Sequence, residues 1–198
     1  KLEAPISELE VDDPITELFP GAGEPGIGLL QLKQAIHHAK DDAKIKGIYL
    51  NISLISAGLA TVEEIRESLL DFRKSGKWVV AYSDYYSEGA YYLSSAADKV
   101  YLNPEGQLEF NGLAIEAMFF KKMLDKLDIK PQVFRVGDFK SAVEPFLRED
   151  MSQENRLQLN SMINSIYGEM LQRVAESRKI PRDKLKDISD KMLVRNAR

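Results

Sequence analysis

"FRKSGKWVVAYSD", residues 72–84, contains the run on which the fold turns: WVVAY (78–82), five residues without a charge among them. A near-continuous apolar run of that length reads as a strand buried on both faces, which is the habit of a parallel sheet covered by helices. Just upstream, Ser75-Gly76 closes a helix whose stripe is Val62, Ile65, Leu69 and Phe72, with Thr61 and Glu64 spaced as a capping box. Before that helix, GIYLNISL (47–54) reads as another strand. It follows a helical pattern that starts at Leu29 and places Leu32, Ile36, Ala39 and Ala43 on one side.

The alternation continues downstream. SEGAYYLSSAAD (87–98) predicts a short helix of small residues, and KVYL (99–102) a strand. The Asn103-Pro104-Glu105-Gly106 turn leads to a further strand, QLEFN. Residues 114–127 predict a helix with Phe119, Phe120, Met123, Leu124 and Leu127 inward, and IKPQVFRV (129–136) a strand with Pro131 near its start. Ser152 opens a long helix striped by Leu157, Met162, Ile163, Ile166, Tyr167, Met170, Leu171 and Val174. Ile180-Pro181 breaks it, and a short helix follows from about Arg182. Helices between strands mean an α/β class with mostly parallel pairing. Residues 1–28, with four prolines, read as an extended arm. Residues 29–180 read as one α/β domain, and 181–198 as a truncated C-terminal helix.

Composition narrows the chemistry. At 198 residues the chain can bury one sizeable core. A net charge of −4 and no Lys/Arg run longer than two argue against a nucleic-acid partner. No cysteine is present, so disulfides, thiolate metal sites and a cysteine nucleophile are excluded. His37 and His38 are helix neighbours pointing about 100° apart, which is the wrong geometry for one metal. Phosphate-binding glycine loops, HExxH and GxSxG are all missing, so no cofactor is expected. The first residue is Lys rather than Met, and no apolar stretch reaches the length of a membrane span. A processed or cloned segment with its anchor upstream is the expectation.

One lysine stands out. In VGDFKSAVEPF (136–146), Lys140 lies behind a Gly-Asp turn among Phe139, Ala142, Val143 and Phe146. Desolvation in such a setting favours the neutral amine, and a neutral lysine can take a proton from a serine hydroxyl. The chain also offers Ser83, Ser87, Ser94 and Ser95, none of them between glycines where a tight turn would expose a nucleophile.

FRVGDFKSAVEPFLREDMS (134–152) closely resembles the lysine segment of the signal peptide peptidase A (protease IV) family of serine–lysine peptidases. YYSEGAYYLSSAADKVYLNPEGQLEFNGL (85–113) continues the likeness, which covers roughly residues 29–180. The resemblance is to the amino-terminal half of the long, tandem-duplicated form. It implies the ClpP/crotonase-like fold, a repeated ββα superhelix with a mostly parallel sheet, plus a long C-terminal helix. It implies that Lys140 is the general base and that the serine stands in the carboxy-terminal half. Aligning Tyr91-Tyr92 and Ala96-Ala97-Asp98 on the serine-bearing pattern puts Glu88 at the degenerate nucleophile position, with Ser87 one residue out of register. NISLISAGLA (51–60) replaces the glycine-rich oxyanion loop.

By resemblance, the substrate is a hydrophobic, signal-peptide-like peptide and the partners are the C-terminal half and further copies in a ring. The implied location is the bacterial inner membrane, with the soluble domain outside the cytoplasm. Two alternatives stay open: a crotonase-like acyl-CoA enzyme, for which Glu88 would supply a carboxylate, and a non-catalytic assembly module in which Lys140 is incidental.

Overall fold

A computed structural model describes residues 6–8, 26–134, 137 and 140–194. Two compact units divide the chain, one of Lys1–Asn111 with Leu171–Arg198, the other of Gly112–Met170. The described elements make an α/β protein with parallel strands, as expected.

The first unit holds a two-residue parallel bridge, β1 (Ile6–Ser7) to β2 (Ile27–Gly28), and a three-stranded parallel sheet. The sheet runs β3 (Gly47–Asn51), β4 (Trp78–Tyr86), β5 (Lys99–Leu108), with Gly47 opposite Trp78 and Val80 opposite Lys99. Between them run α1 (Leu29–Asp41), α2 (Leu59–Arg73) and the short α3 (Glu88–Ser94). The expected α2 stripe is the core: Val62, Ile65, Leu69 and Phe72 are all buried. The helix starts earlier than a capping box at Thr61 would place it, with Gly58 at the N-cap.

WVVAY is indeed the central strand, but it is not buried on both faces. Val79 and Ala81 are inaccessible, whereas Trp78 is 48% exposed, as are Tyr49 and Tyr101 on the neighbouring strands by similar amounts. Helices cover one face of this sheet among the described residues. Its other face carries amphipathic aromatics that tolerate water, and an uninterrupted apolar run does not distinguish the two cases. Trp78 still has a fixed seat, because a Cβ at Gly47 would lie 2.2 Å from its indole ring.

The NPEG turn and the strand after it also differ from expectation. β5 passes through both as one strand with an irregularity: Ser83 faces Leu102 and Tyr85 faces Gln107, so Asn103–Gly106 bulge out opposite Asp84. Asn103 Nδ2 donates to Asp84 Oδ1 (2.7 Å), and a Cβ at Gly106 would come within 2.4 Å of the Asp84 carbonyl. Only glycine fits under that carbonyl.

Asp98 explains why the AAD tripeptide is there. Its Oδ2 accepts the Val79 N–H (2.8 Å), its Oδ1 accepts from Arg73 Nε (2.7 Å), and Arg73 Nη1 donates to the Ala96 carbonyl (2.8 Å). One carboxylate thus ties the end of α2 to the starts of β4 and β5. Burial pushes this carboxyl up, but the Val79 N–H and the Arg73 guanidinium outweigh it and hold it below its ordinary value of 3.8. Native Asp98 is therefore ionised where the unfolded chain would already bind a proton. Its stabilisation is complete above the unfolded-state pKa and lost as pH falls through the lower folded-state value. Asp98→Asn should cost about 1–3 kcal/mol at neutral pH, discounted because the ion pair is partly exposed. The gap from wild type in thermal melts should close on acidification.

In the second unit the irregular segment 112–120 leads to α4 (Lys121–Lys126). The expected helix over 114–127 thus shrinks to its last part. Of its inward-facing residues, Met123 and Leu127 are largely exposed. Asp128 takes a left-handed φ of 53°, and the Ile129 N–H bonds the Leu124 carbonyl (3.0 Å), which ends the helix. The expected strand over 129–136 does not form across 129–134, since a strand needs a ladder partner and none runs beside it among the described residues. Arg135 and Val136 lie outside the described residues, as do Asp138 and Phe139.

A 3₁₀ turn, Ser141–Val143, runs directly into α5 (Glu144–Leu147), and then α6 spans Gln153–Arg178. Ser152 starts α6 as expected: its Oγ accepts the Asn155 N–H (3.1 Å) and its carbonyl accepts the Arg156 N–H. The stripe is real only toward the helix end, where Met170, Leu171 and Val174 are buried; Leu157 and Met162 are exposed. A final helix, α7 (Arg182–Asp190), returns to the first unit. No described helix is long and apolar enough to cross a membrane.

Candidate active site

The first unit presents the carboxyl end of its sheet around the start of α3. Ser87 caps that helix, its Oγ accepting the Ala90 N–H (3.3 Å) and its own N–H donating to the Ser53 carbonyl (3.0 Å). Glu88 follows as the first helical residue, where the helix dipole favours a carboxylate. Its Oε2 accepts the backbone N–H of Asn111 (3.1 Å), which ties the helix start to the chain just beyond β5. NISLISAGLA covers the same helix end: a Cβ on Gly89 would stand 3.2 Å from the Ile55 Cγ2 methyl. Where acyl transfer needs open N–H donors beside a nucleophile, this helix end carries a bonded carboxylate and an apolar side chain.

The four candidate serines are each buried or hydrogen-bonded. Ser83 is buried and shares a hydrogen bond with Ser53 (Oγ to Oγ, 2.8 Å) while donating to the Tyr85 carbonyl (2.7 Å). Ser94 and Ser95 are inaccessible, and Ser95 Oγ donates to the Tyr92 carbonyl. Ser87 is occupied in the cap. The tyrosines nearby are held protonated: burial pushes the Tyr86 phenol up to about 12 and, with the Glu63 carboxylate, pushes Tyr92 up as well.

The second unit holds Lys140. Gly137, at φ +96°, makes a turn ahead of it that only glycine adopts without strain. Lys140 itself is the N-cap of the 3₁₀ turn, and it is exposed. Of the apolar residues expected around it, Ala142 is exposed, Val143 half-buried and Phe146 45% exposed. Within the described residues, then, this segment offers a lysine on a defined turn rather than in a dry pocket.

That turn is held from three sides inside its own unit. The Phe120 N–H donates to the Pro145 carbonyl (2.6 Å), and the Phe120 and Phe146 rings stack with centroids 6.0 Å apart. Lys122 pairs with Glu149 at 3.0 Å. Glu144, one turn past the lysine, is bound by Ser152 and Asn155 at the start of α6. Sequence reading missed this last contact. The signal present was a glutamate in KSAVEPF followed at 152–155 by SQEN, a pairing that nothing in a helical or strand period brings together.

The sequence profile described as Peptidase family S49 matches residues 71–195. The chain is 43% identical over 152 residues to "Protease 4" of Haemophilus influenzae, covering 76% of this chain and 25% of that protein. It is 41% identical over 153 residues to "Protease 4" of Salmonella typhi, covering 77% and 25%. It is 36% identical over 152 residues to "Serine protease SPPA, chloroplastic" of Arabidopsis thaliana, covering 77% and 22%. The chain thus spans about a quarter of the length of these relatives. The profile runs through the central strand, the Glu88 helix, the Lys140 turn and the long helix, which is more than half of the chain. On that match the chain belongs to Peptidase family S49, of the ClpP/crotonase-like fold.

Proposed function

We propose that this chain is the base-donating part of a serine–lysine endopeptidase. Lys140, neutral when the site is assembled, takes the hydroxyl proton of a serine supplied from outside these 198 residues. The oxygen attacks the scissile carbonyl, and the lysine then returns the proton to the leaving amine. The surroundings that desolvate the amine come from the same source as the serine. Residues 29–180 form the peptidase-fold portion, the substrate is a hydrophobic peptide such as a cleaved signal sequence, and the assembled enzyme is a membrane-associated oligomer.

The observation that carries this reading is the state of the helix end at Glu88. The position that the family resemblance gives to the nucleophile holds a carboxylate bonded to the Asn111 N–H, and its neighbour Ser87 is a helix cap. Lys140, by contrast, is exposed on a turn fixed by its neighbours.

A fluorophosphonate that labels activated serines tests the split. The full-length protein should take one label per protomer, mapped by peptide mass spectrometry to a serine outside this chain. The isolated chain should take none. Stoichiometric labelling of Ser83, Ser87, Ser94 or Ser95 would end the proposal.

A further inference from the structure

Glu144 is a buried carboxylate that the proton transfer above does not use. It is 2% exposed, and with Arg66 it makes up the charged side chains buried to that degree among the described residues. Three donors converge on it. Ser152 Oγ–H donates to Oε1, while the Ser152 N–H (3.2 Å) and Asn155 Nδ2 (3.0 Å) donate to Oε2. Ser152 also caps α6, so the carboxylate sits at the positive end of a 26-residue helix. Burial pushes the carboxyl up, but these hydrogen bonds outweigh it and keep it below its ordinary value. Glu144 is thus ionised and satisfied, as a buried charge must be to persist.

What it anchors is the lysine turn. Glu144 is the C-cap of the 3₁₀ turn that Lys140 opens, and its N–H bonds the Ser141 carbonyl. Ahead of it, Gly137 holds a left-handed φ of +96°, which glycine alone adopts without strain. An anchor at the C-cap of so short a turn fixes the backbone from which Lys140 projects. A proton acceptor, in turn, must stay within hydrogen-bond reach of the hydroxyl it serves. We infer that Glu144, clasped by Ser152 and Asn155, is the positioning residue that sets where Lys140 presents its amine. This inference rests on the base role given to Lys140 above.

The test uses the full-length protein and a fluorogenic hydrophobic peptide, with Lys140→Ala, Glu144→Gln, Asn155→Ala and Ser152→Thr made in parallel. Glu144→Gln keeps the shape but leaves an amide among three donors. It should lower kcat about 10–100-fold with KM within about twofold, the scale of a displaced catalytic group. Asn155→Ala, which removes one donor of three, should lower kcat less, and Ser152→Thr should retain the activity of wild type. Asp98→Asn serves as the control for stability alone, since it loosens the other unit, and should leave kcat intact at temperatures where it is folded. Full turnover in Glu144→Gln, or a deficit that vanishes on cooling to where the variant is fully folded, overturns the positioning role. Wild-type turnover in Lys140→Ala overturns the base assignment itself, whatever Glu144 does, and so separates the two failures.

Discussion

Lys140→Ala in the full-length protein is expected to lower kcat for peptide hydrolysis by at least about 1,000-fold, the scale on which general-base catalysis acts. That is a loss of about 4 kcal/mol of transition-state stabilisation. KM should change little, because the amine acts on the serine hydroxyl and not on bound peptide. Lys140→Arg separates charge from proton acceptance. A guanidinium keeps the positive charge and most of the reach, but it cannot give up its proton, so it cannot take one from serine. Arg should therefore be as inactive as Ala; recovery of activity by Arg would mean that charge alone matters. In this chain by itself the side chain is exposed, so neither substitution should move the melting temperature of the isolated chain by more than the small change typical of surface sites. Turnover within a few-fold of wild type in both variants would remove Lys140 from the mechanism.

Why the lysine segment was legible and its clasp was not is a matter of range. The strand at WVVAY, the α2 stripe and the α6 start at Ser152 are encoded in periods of a few residues, and all form where those periods place them. Which face of a strand is covered depends on what packs against it, so the reading of Trp78 as interior fails. Across 129–134 the expected strand does not form for the same reason: Val133 and Phe134 have β propensity, but pairing is a property of two segments. Lys140 could be singled out because its neighbours in sequence are unusual for a lysine. Glu144 could not, because its partners Ser152 and Asn155 follow a loop and no local rule links them. Asp98 was visible as a motif letter, and its meaning, an acceptor for Val79 N–H and Arg73, came only with the sheet register. Lys140 is exposed among residues expected to desolvate it because sequence neighbours need not be packing neighbours: Ala142 and Phe146 are exposed as well.

The largest expected effect on stability belongs to Arg66, at 1% exposure on the inner side of α2. Its Nη2 donates to the Arg173 carbonyl (3.0 Å) and to Ser177 Oγ, both near the end of α6. Its guanidinium carbon stands 5.2 Å from the centre of the Tyr92 ring on α3, and Tyr92 donates its hydroxyl to Glu63 on α2. Arg173 approaches the same glutamate at 3.6 Å. Three helices therefore meet on one cation. Arg66→Ala removes the donor from a buried carbonyl and a hydroxyl, leaves a cavity beside the ring, and should cost about 3–5 kcal/mol. Arg66→Lys keeps the charge but loses the planar guanidinium that stands against the Tyr92 ring, so it should fall between Ala and wild type. Arg66→Met fills the space without the charge. Buried ion sites replaced by apolar side chains of similar volume are often nearly neutral, so Met should be markedly better than Ala. Amide hydrogen exchange in the full-length protein reads this locally: α2, α3 and the end of α6 should lose protection together in Arg66→Ala, while the Lys140 turn, in the other unit, keeps its own. Unchanged protection in those helices would show that α2 is held by its apolar stripe alone, and that the buried arginine is a passenger in a core already sufficient without it.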